Sequence, residues 1–186
     1  MMTKRILYVT LINVLFGLTA ANAQEAKAEE SQEKARSSKF EQFTSRKDAL
    51  IVRKNYQIGK ADGTFIDVRV SEAWELGQSQ KTYAAVVTDK TFDFDQLQGM
   101  LEAIDRMTKA IPAEFDKVEA TSMSLSSVSG LRMVYSTYND SAGPKRQLYI
   151  TIPDKYLYGG PSIEPLTKLR ELISQARQKL VSLGAK

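Results

Sequence analysis

The sequence predicts an α+β domain built from a duplicated βββα unit, and three observations lead there. Alternating or β-branched runs fall into two groups of three; each group is followed by one long apolar stripe at helical spacing; and the two series repeat at nearly constant separation. Together they predict an antiparallel sheet of about six strands with two packed helices. The single domain is expected over residues 40–186, with pseudo-repeats at 49–111 and 115–183.

Residues 1–23 have the three-part layout of a signal peptide: a basic start at Lys4 and Arg5, fifteen uncharged residues from Ile6 to Ala20, then Ala21, Asn22 and Ala23. Fifteen residues fall short of the roughly 20 that span a bilayer as a helix. Cleavage before Gln24 is therefore expected over a retained anchor, and with it an exported protein, periplasmic or secreted, without an integral span. Residues 24–39 hold four Glu against four Lys plus Arg and nothing apolar larger than Ala, the composition of a charged linker. Phe40 and Phe43, three apart, mark the start of the fold as a helical turn capping the core.

Ala49 to Tyr56 reads as the first strand. Gly59 to Gly63 supplies a hairpin turn, and Thr64 to Leu76 alternates with Ile66, Val68, Val70 and Trp74 on one face. Lys81 to Thr88 is apolar on both faces, which predicts a strand buried on both sides. Asp93 is placed to cap a helix with Gln96 closing the capping box, and Phe94, Leu97, Met100, Leu101, Ile104, Met107 and Ile111 form its stripe before Pro112 stops it. The Asp89, Asp93 and Asp95 cluster lacks the spacing of a calcium loop. The order then recurs: strands at Lys117 to Leu125, Leu131 to Tyr138 and Arg146 to Ile152, a loop at Asn139 to Lys145, and a helix from Ile163 to Leu183 with Pro165 in its first turn. An offset of 67 superimposes the strands (Ile66 on Met133, Ala85 on Ile152) and one of 69 the helices (Leu97 on Leu166, Ile104 on Ile173), which predicts a two-residue insertion between them.

The chain holds 26 Lys plus Arg, 22 Asp plus Glu, and neither His nor Cys. That composition excludes Ser-His-Asp and Cys-His catalysis, thiol redox chemistry, disulfides, lipidation and the usual zinc sites. Loss of Lys4 and Arg5 reduces the net charge from +4 to +2, too little to predict a polyanionic partner. No nucleophile elbow, phosphate-cradling Gly loop or paired-carboxylate signature is present, so no enzyme and no cofactor is expected.

What remains is surface. If both helices cover one face of the sheet, the other collects Asp67, Arg69, Arg132, Ser136, Tyr138, Gln147, Tyr149 and Thr151. Arg69, Arg132, Tyr138 and Tyr149 are then the candidate binding face, because Tyr and Arg are enriched at binding hot spots. Such residues also suit any half-wet sheet. Tyr156 and Tyr158, ahead of Gly159, Gly160 and Pro161, form a candidate binding loop whose rings equally suit the rim of the core. In topology alone, the repeated sheet-then-helix order resembles PUR and Whirly-type nucleic-acid-binding folds, which implies a single-strand nucleic-acid binder as the alternative to a protein- or ligand-binding module. A third alternative is an enzyme using carboxylates or Lys. Unpaired edge strands make a homodimer a further possibility.

Overall fold

Ala84, Ala85, Val86 and Val87 are all buried, so the strand expected to be covered on both sides is. The computed structural model that contains them describes residues 37–114, 121–127 and 129–185. The expected signal peptide and most of the expected linker lie outside those residues. A short helix α1 (Lys39–Thr44) precedes strands β1 (Ile51–Lys60), β2 (Asp67–Glu75), β3 (Lys81–Val87) and β4 (Lys90–Phe92), then helix α2 (Phe94–Glu114). Strands β5 (Thr121–Ser126), β6 (Arg132–Asp140), β7 (Gly143–Ile152) and β8 (Lys155–Gly160) and helix α3 (Glu164–Ser182) complete the described chain.

The fold is α+β, and its two halves are alike, but the strands form two antiparallel four-stranded sheets, β1-β2-β3-β4 and β5-β6-β7-β8, instead of one sheet of about six. The repeating unit is therefore ββββα. Each unit gains a strand that carries little sequence signal: β4 is three residues long, and β8 ends in Gly159-Gly160, which read as a loop. Tyr156 and Tyr158 accordingly belong to a strand. The connection from β6 to β7 is tighter than the expected loop, with Asp140 already paired to Gly143 at φ 109°. Gly59 lies within β1 and not in the turn. The strand bulges there, and a Cβ would meet Leu172 Cδ2 at 2.7 Å. Helix α2 continues past Pro112 to Glu114, since a proline in the last turn removes one N–H without undoing the turns behind it.

Both helical stripes face one core. Leu97, Met100, Ile104, Met107 and Ile111 of α2, and Leu166, Leu169, Leu172, Ile173, Ala176 and Leu180 of α3, are buried in a single cluster with Val68, Val70 and Val87 of the first sheet and Met133, Leu148 and Ile150 of the second. Helix α3, although it belongs to the second repeat in sequence, packs against β1, β2 and β3 of the first. At about 1.5–3 kcal/mol for each fully buried large side chain, this burial is the main force holding the halves together.

The halves meet at two equivalent turns. Val87 pairs with Lys90 around Thr88-Asp89, and Ile152 pairs with Lys155 around Pro153-Asp154. The equivalence lies at an offset of 65 instead of 67. With 69 retained in the helices, the insertion is four residues, after Leu157. Across this junction Asp89 pairs with Lys155 at 2.8 Å and Lys90 with Asp154 at 3.5 Å, the reciprocal exchange expected about a pseudo-twofold axis. These pairs are exposed and register the halves more than they stabilise them. A backbone tie lies beside them. Phe65 N–H donates to the Leu157 carbonyl at 2.9 Å, and the Phe65 carbonyl accepts from the hydroxyl of Thr88, a β-branched residue held at φ 60°.

Asp93 serves a different helix from the one expected. Its N–H donates to Gln96 Oε1, so half of the capping box forms, but its buried carboxylate accepts from the Lys39 and Phe40 N–H groups of α1 at 2.7 and 3.3 Å. Ser38 and Glu41 form a complete capping box on α1 itself. Asp93→Ala should therefore lower the unfolding free energy by about 1–2 kcal/mol in urea titrations. Amide exchange should accelerate first at Lys39 and Phe40 and leave the middle of α2 unchanged; unchanged exchange at those two amides would contradict the assignment.

Candidate binding face

Alternation in the second sheet sends Met133, Tyr135, Leu148 and Ile150 into the core and their neighbours outward. Register then arranges the outward residues in rows across the strands. One row runs Ser126, Arg132, Thr151, Tyr156; the next Ser124, Val134, Tyr149, Gly159; the third Ser122, Ser136, Gln147; a fourth pairs Tyr138 with Lys145, and the Asp140–Gly143 pair follows at the hairpin end. The first four rows contain three tyrosines, hydroxyls, one amide and two cations. Arg132 and the three serines of β5 are exposed, as are Tyr138 and Tyr156 at 42% and 49%. Tyr138 is steadied by its hydroxyl, which donates to Gln147 Oε1 at 3.4 Å.

The aromatic centre of the face depends on a glycine and a bulge. Gly159 pairs with Tyr149, and a Cβ there would fall 1.4 Å from the Tyr156 hydroxyl and 3.1 Å from Tyr149 Cδ1. The absent side chain lets both rings close over the strand, with centroids 6.3 Å apart and planes at 57°. Two residues along a regular strand share a face, so Tyr156 and Tyr158 would point the same way, but Leu157 has no cross-strand partner between the Thr151–Tyr156 and Ile150–Tyr158 pairs. The bulge turns Tyr158 inward. It packs half-buried against the core, and its hydroxyl accepts the Ser162 N–H at 3.2 Å. Tyr156 therefore joins the candidate face and Tyr158 seals the rim.

Arg69 and Asp67, expected on the same face, belong to the first sheet. They share a strand face with Ser71 and Ala73, and Ala73 and Ala84 are buried against Phe40 of α1, with Phe43 beside them. The candidate set is thus divided: Arg132, Tyr138, Tyr149 and Tyr156 come together, while Arg69 and Tyr158 do not join them. The two sheets differ in this respect. Helix α1 covers part of the outer face of the first sheet, around Ala73 and Ala84, and among the described residues no helix covers the outer face of the second.

A second cluster, which the sequence does not single out, surrounds Glu72. Glu72 is 4% exposed and follows Val68 and Val70 on the core-facing side of β2. One carboxylate oxygen accepts from the Tyr56 hydroxyl at 2.7 Å and the other from Lys81 Nζ. The Lys81 ammonium also sits 5.2 Å over the Trp74 ring, and Lys54 and Lys179 flank the Tyr56 ring at 5.0 and 4.5 Å. The available signal was phase, because Glu72 occupies an inward position between Val70 and Trp74. The Lys81 hydrogen bond holds the Glu72 carboxyl below its usual range, against the opposing effect of burial. Both carboxylate oxygens are engaged, so the cluster reads as a buried carboxylate satisfied by a tyrosine hydroxyl and by an ammonium at the surface.

No protein-family model matches the chain, and no curated protein matches it in sequence.

A carboxyl with a depressed folded-state pKa contributes stability above its unfolded value, near 4.5, and loses that contribution as the pH falls through the folded value. Glu72→Gln should therefore be less stable than the wild type by about 1–3 kcal/mol at pH 7. The two should converge as the pH falls below the usual carboxylate range, measured as urea midpoints across the series. A gap independent of pH would show that Glu72 acts through packing alone.

Proposed function

We propose that this protein is an exported, non-catalytic module that binds a protein or other ligand through the outer face of its second sheet. Export rests on the signal-like residues 1–23. The observation that carries the binding reading is the contrast between the sheets. Phe40 and Phe43 cover part of the first sheet's outer face, around Ala73 and Ala84, whereas the second sheet's outer face gathers Arg132, Tyr138, Tyr149 and Tyr156 with no helix over them among the described residues. Tyrosine gives large contact area at low entropic cost, and tyrosine and arginine are both enriched at measured interface hot spots. The Tyr149–Tyr156 pair is held by Gly159 and needs no rearrangement to present its rings.

A second reading, a single-strand nucleic-acid binder, draws on the same residues, since paired tyrosines beside cations can stack bases and neutralise phosphates. A net charge of +2 after loss of residues 1–23 supports it less well.

A photo-crosslinker placed at Tyr138 should capture a defined partner from the exported fraction. Arg132→Ala combined with Tyr149→Ala should weaken that capture by about tenfold or more, corresponding to roughly 1.4 kcal/mol, without shifting the urea midpoint. Capture of unrelated envelope proteins alone, unaffected by the double variant, would count against the proposal. Binding of a labelled oligonucleotide that weakens steeply with salt would favour the second reading.

A further inference from the structure

We propose that β5 is a self-pairing edge through which two copies of this chain join antiparallel about Ser124, and this holds whatever the outer face binds. Strand order leaves β5 with one strand neighbour, β6, among the described residues. The other edges carry the features that discourage strand addition. β1 exposes Arg53, Lys54 and Lys60 and is bulged before Gly59; β4 is only three residues long; β8 is bulged at Leu157, whose carbonyl is occupied by the Phe65 N–H. β5 has none of these. It pairs with β6 in unbroken register from Thr121–Thr137 to Ser126–Arg132, and no charged residue or proline occurs from Thr121 to Leu131.

The sequence of this edge is also self-complementary. From Thr121 to Ser127 it reads hydroxyl, hydroxyl, apolar, hydroxyl, apolar, hydroxyl, hydroxyl, a palindrome centred on Ser124. A twofold axis through Ser124 sets Ser124 opposite its own copy, Met123 opposite Leu125 and Ser122 opposite Ser126. Met123 and Leu125 are half-buried on the core side and Ser122, Ser124 and Ser126 exposed on the other, so apolar meets apolar on one face and hydroxyl meets hydroxyl on the other. The pairing would join the two second sheets into one of eight strands and place both copies' tyrosine rows on a continuous surface.

The chain contains no cysteine, so one introduced thiol reports this contact alone. In the proposed register, Ser124→Cys places two thiols on directly opposed residues, with Cα atoms about 4.5–5.5 Å apart and within disulfide reach. Ser126→Cys leaves its two copies about 14 Å apart along the strands, beyond it. Under mild oxidation the purified Ser124→Cys protein should run as a disulfide-linked dimer and Ser126→Cys as a monomer, while Ser122→Cys combined with Ser126→Cys should crosslink again. In sedimentation the wild type should show twice the chain mass, with dissociation on dilution. Ser124→Lys should show a single chain mass, because two ammonium groups would meet at the axis, and its urea midpoint should match the wild type's at concentrations where the wild type is dissociated. A wild type that sediments as a monomer up to its solubility limit, or equal crosslinking of Ser124→Cys and Ser126→Cys, would overturn the proposal.

Discussion

Neither repeat closes its own core. The apolar stripe of α3, from Leu166 to Leu180, is buried against the first sheet, while the sequence that precedes α3 builds the second. A four-stranded sheet with one uncovered apolar face is poorly stable in water, and an isolated amphipathic helix gains little. Packing α3 on the other repeat removes both problems and makes the halves mutually dependent. The close approach of Leu172 to Gly59 and the bidentate Arg170–Asp105 pair between α3 and α2 are consequences of that choice. So is the meeting of the Asp89-Lys90 and Asp154-Lys155 turns, whose exposed ion pairs register an arrangement that burial has already decided.

With the inner faces committed to a common core, the outer faces are where the repeats can diverge. Helix α1 occupies one of them, secured by its own capping box and by the carboxylate of Asp93, which reaches back from the start of α2. Among the described residues no helix lies over the second sheet's outer face, and the polarity of its tyrosine rows suits that exposure. Val134 is half-buried among serines and tyrosines, and the rings are ordered by the missing side chain of Gly159.

The helices were legible because a period of 3.6 sustained over about twenty residues has few competing readings. Every position of the α3 stripe from Leu166 to Leu180 is buried, and β3 announced its double burial through Ala84 to Val87. Other features are set by tertiary structure. β4 is too short to show alternation, and the glycines of β8 read as a turn although Gly159 is there for Tyr149 and Tyr156. The bulge at Leu157 shifts the phase between Tyr156 and Tyr158. Alternation indicates which residues share a strand face but not which sheet that strand joins, and this is how Arg69 came to be grouped with Arg132. Asp93 was correctly recognised as a capping residue, yet its carboxylate caps a helix 54 residues away in sequence.

One core shared by the two repeats requires them to unfold as one unit. Native-state hydrogen exchange resolved by peptide tests it most directly, comparing segments from β2 (Asp67–Glu75) and β6 (Arg132–Asp140) as urea is raised below the unfolding transition. A shared core predicts that the slowest amides of both strands converge on the same opening free energy and the same urea dependence. Slowest amides of β6 that open at lower free energy, with a shallower urea dependence, while those of β2 stay protected, would show that the second half unfolds by itself and would contradict the account.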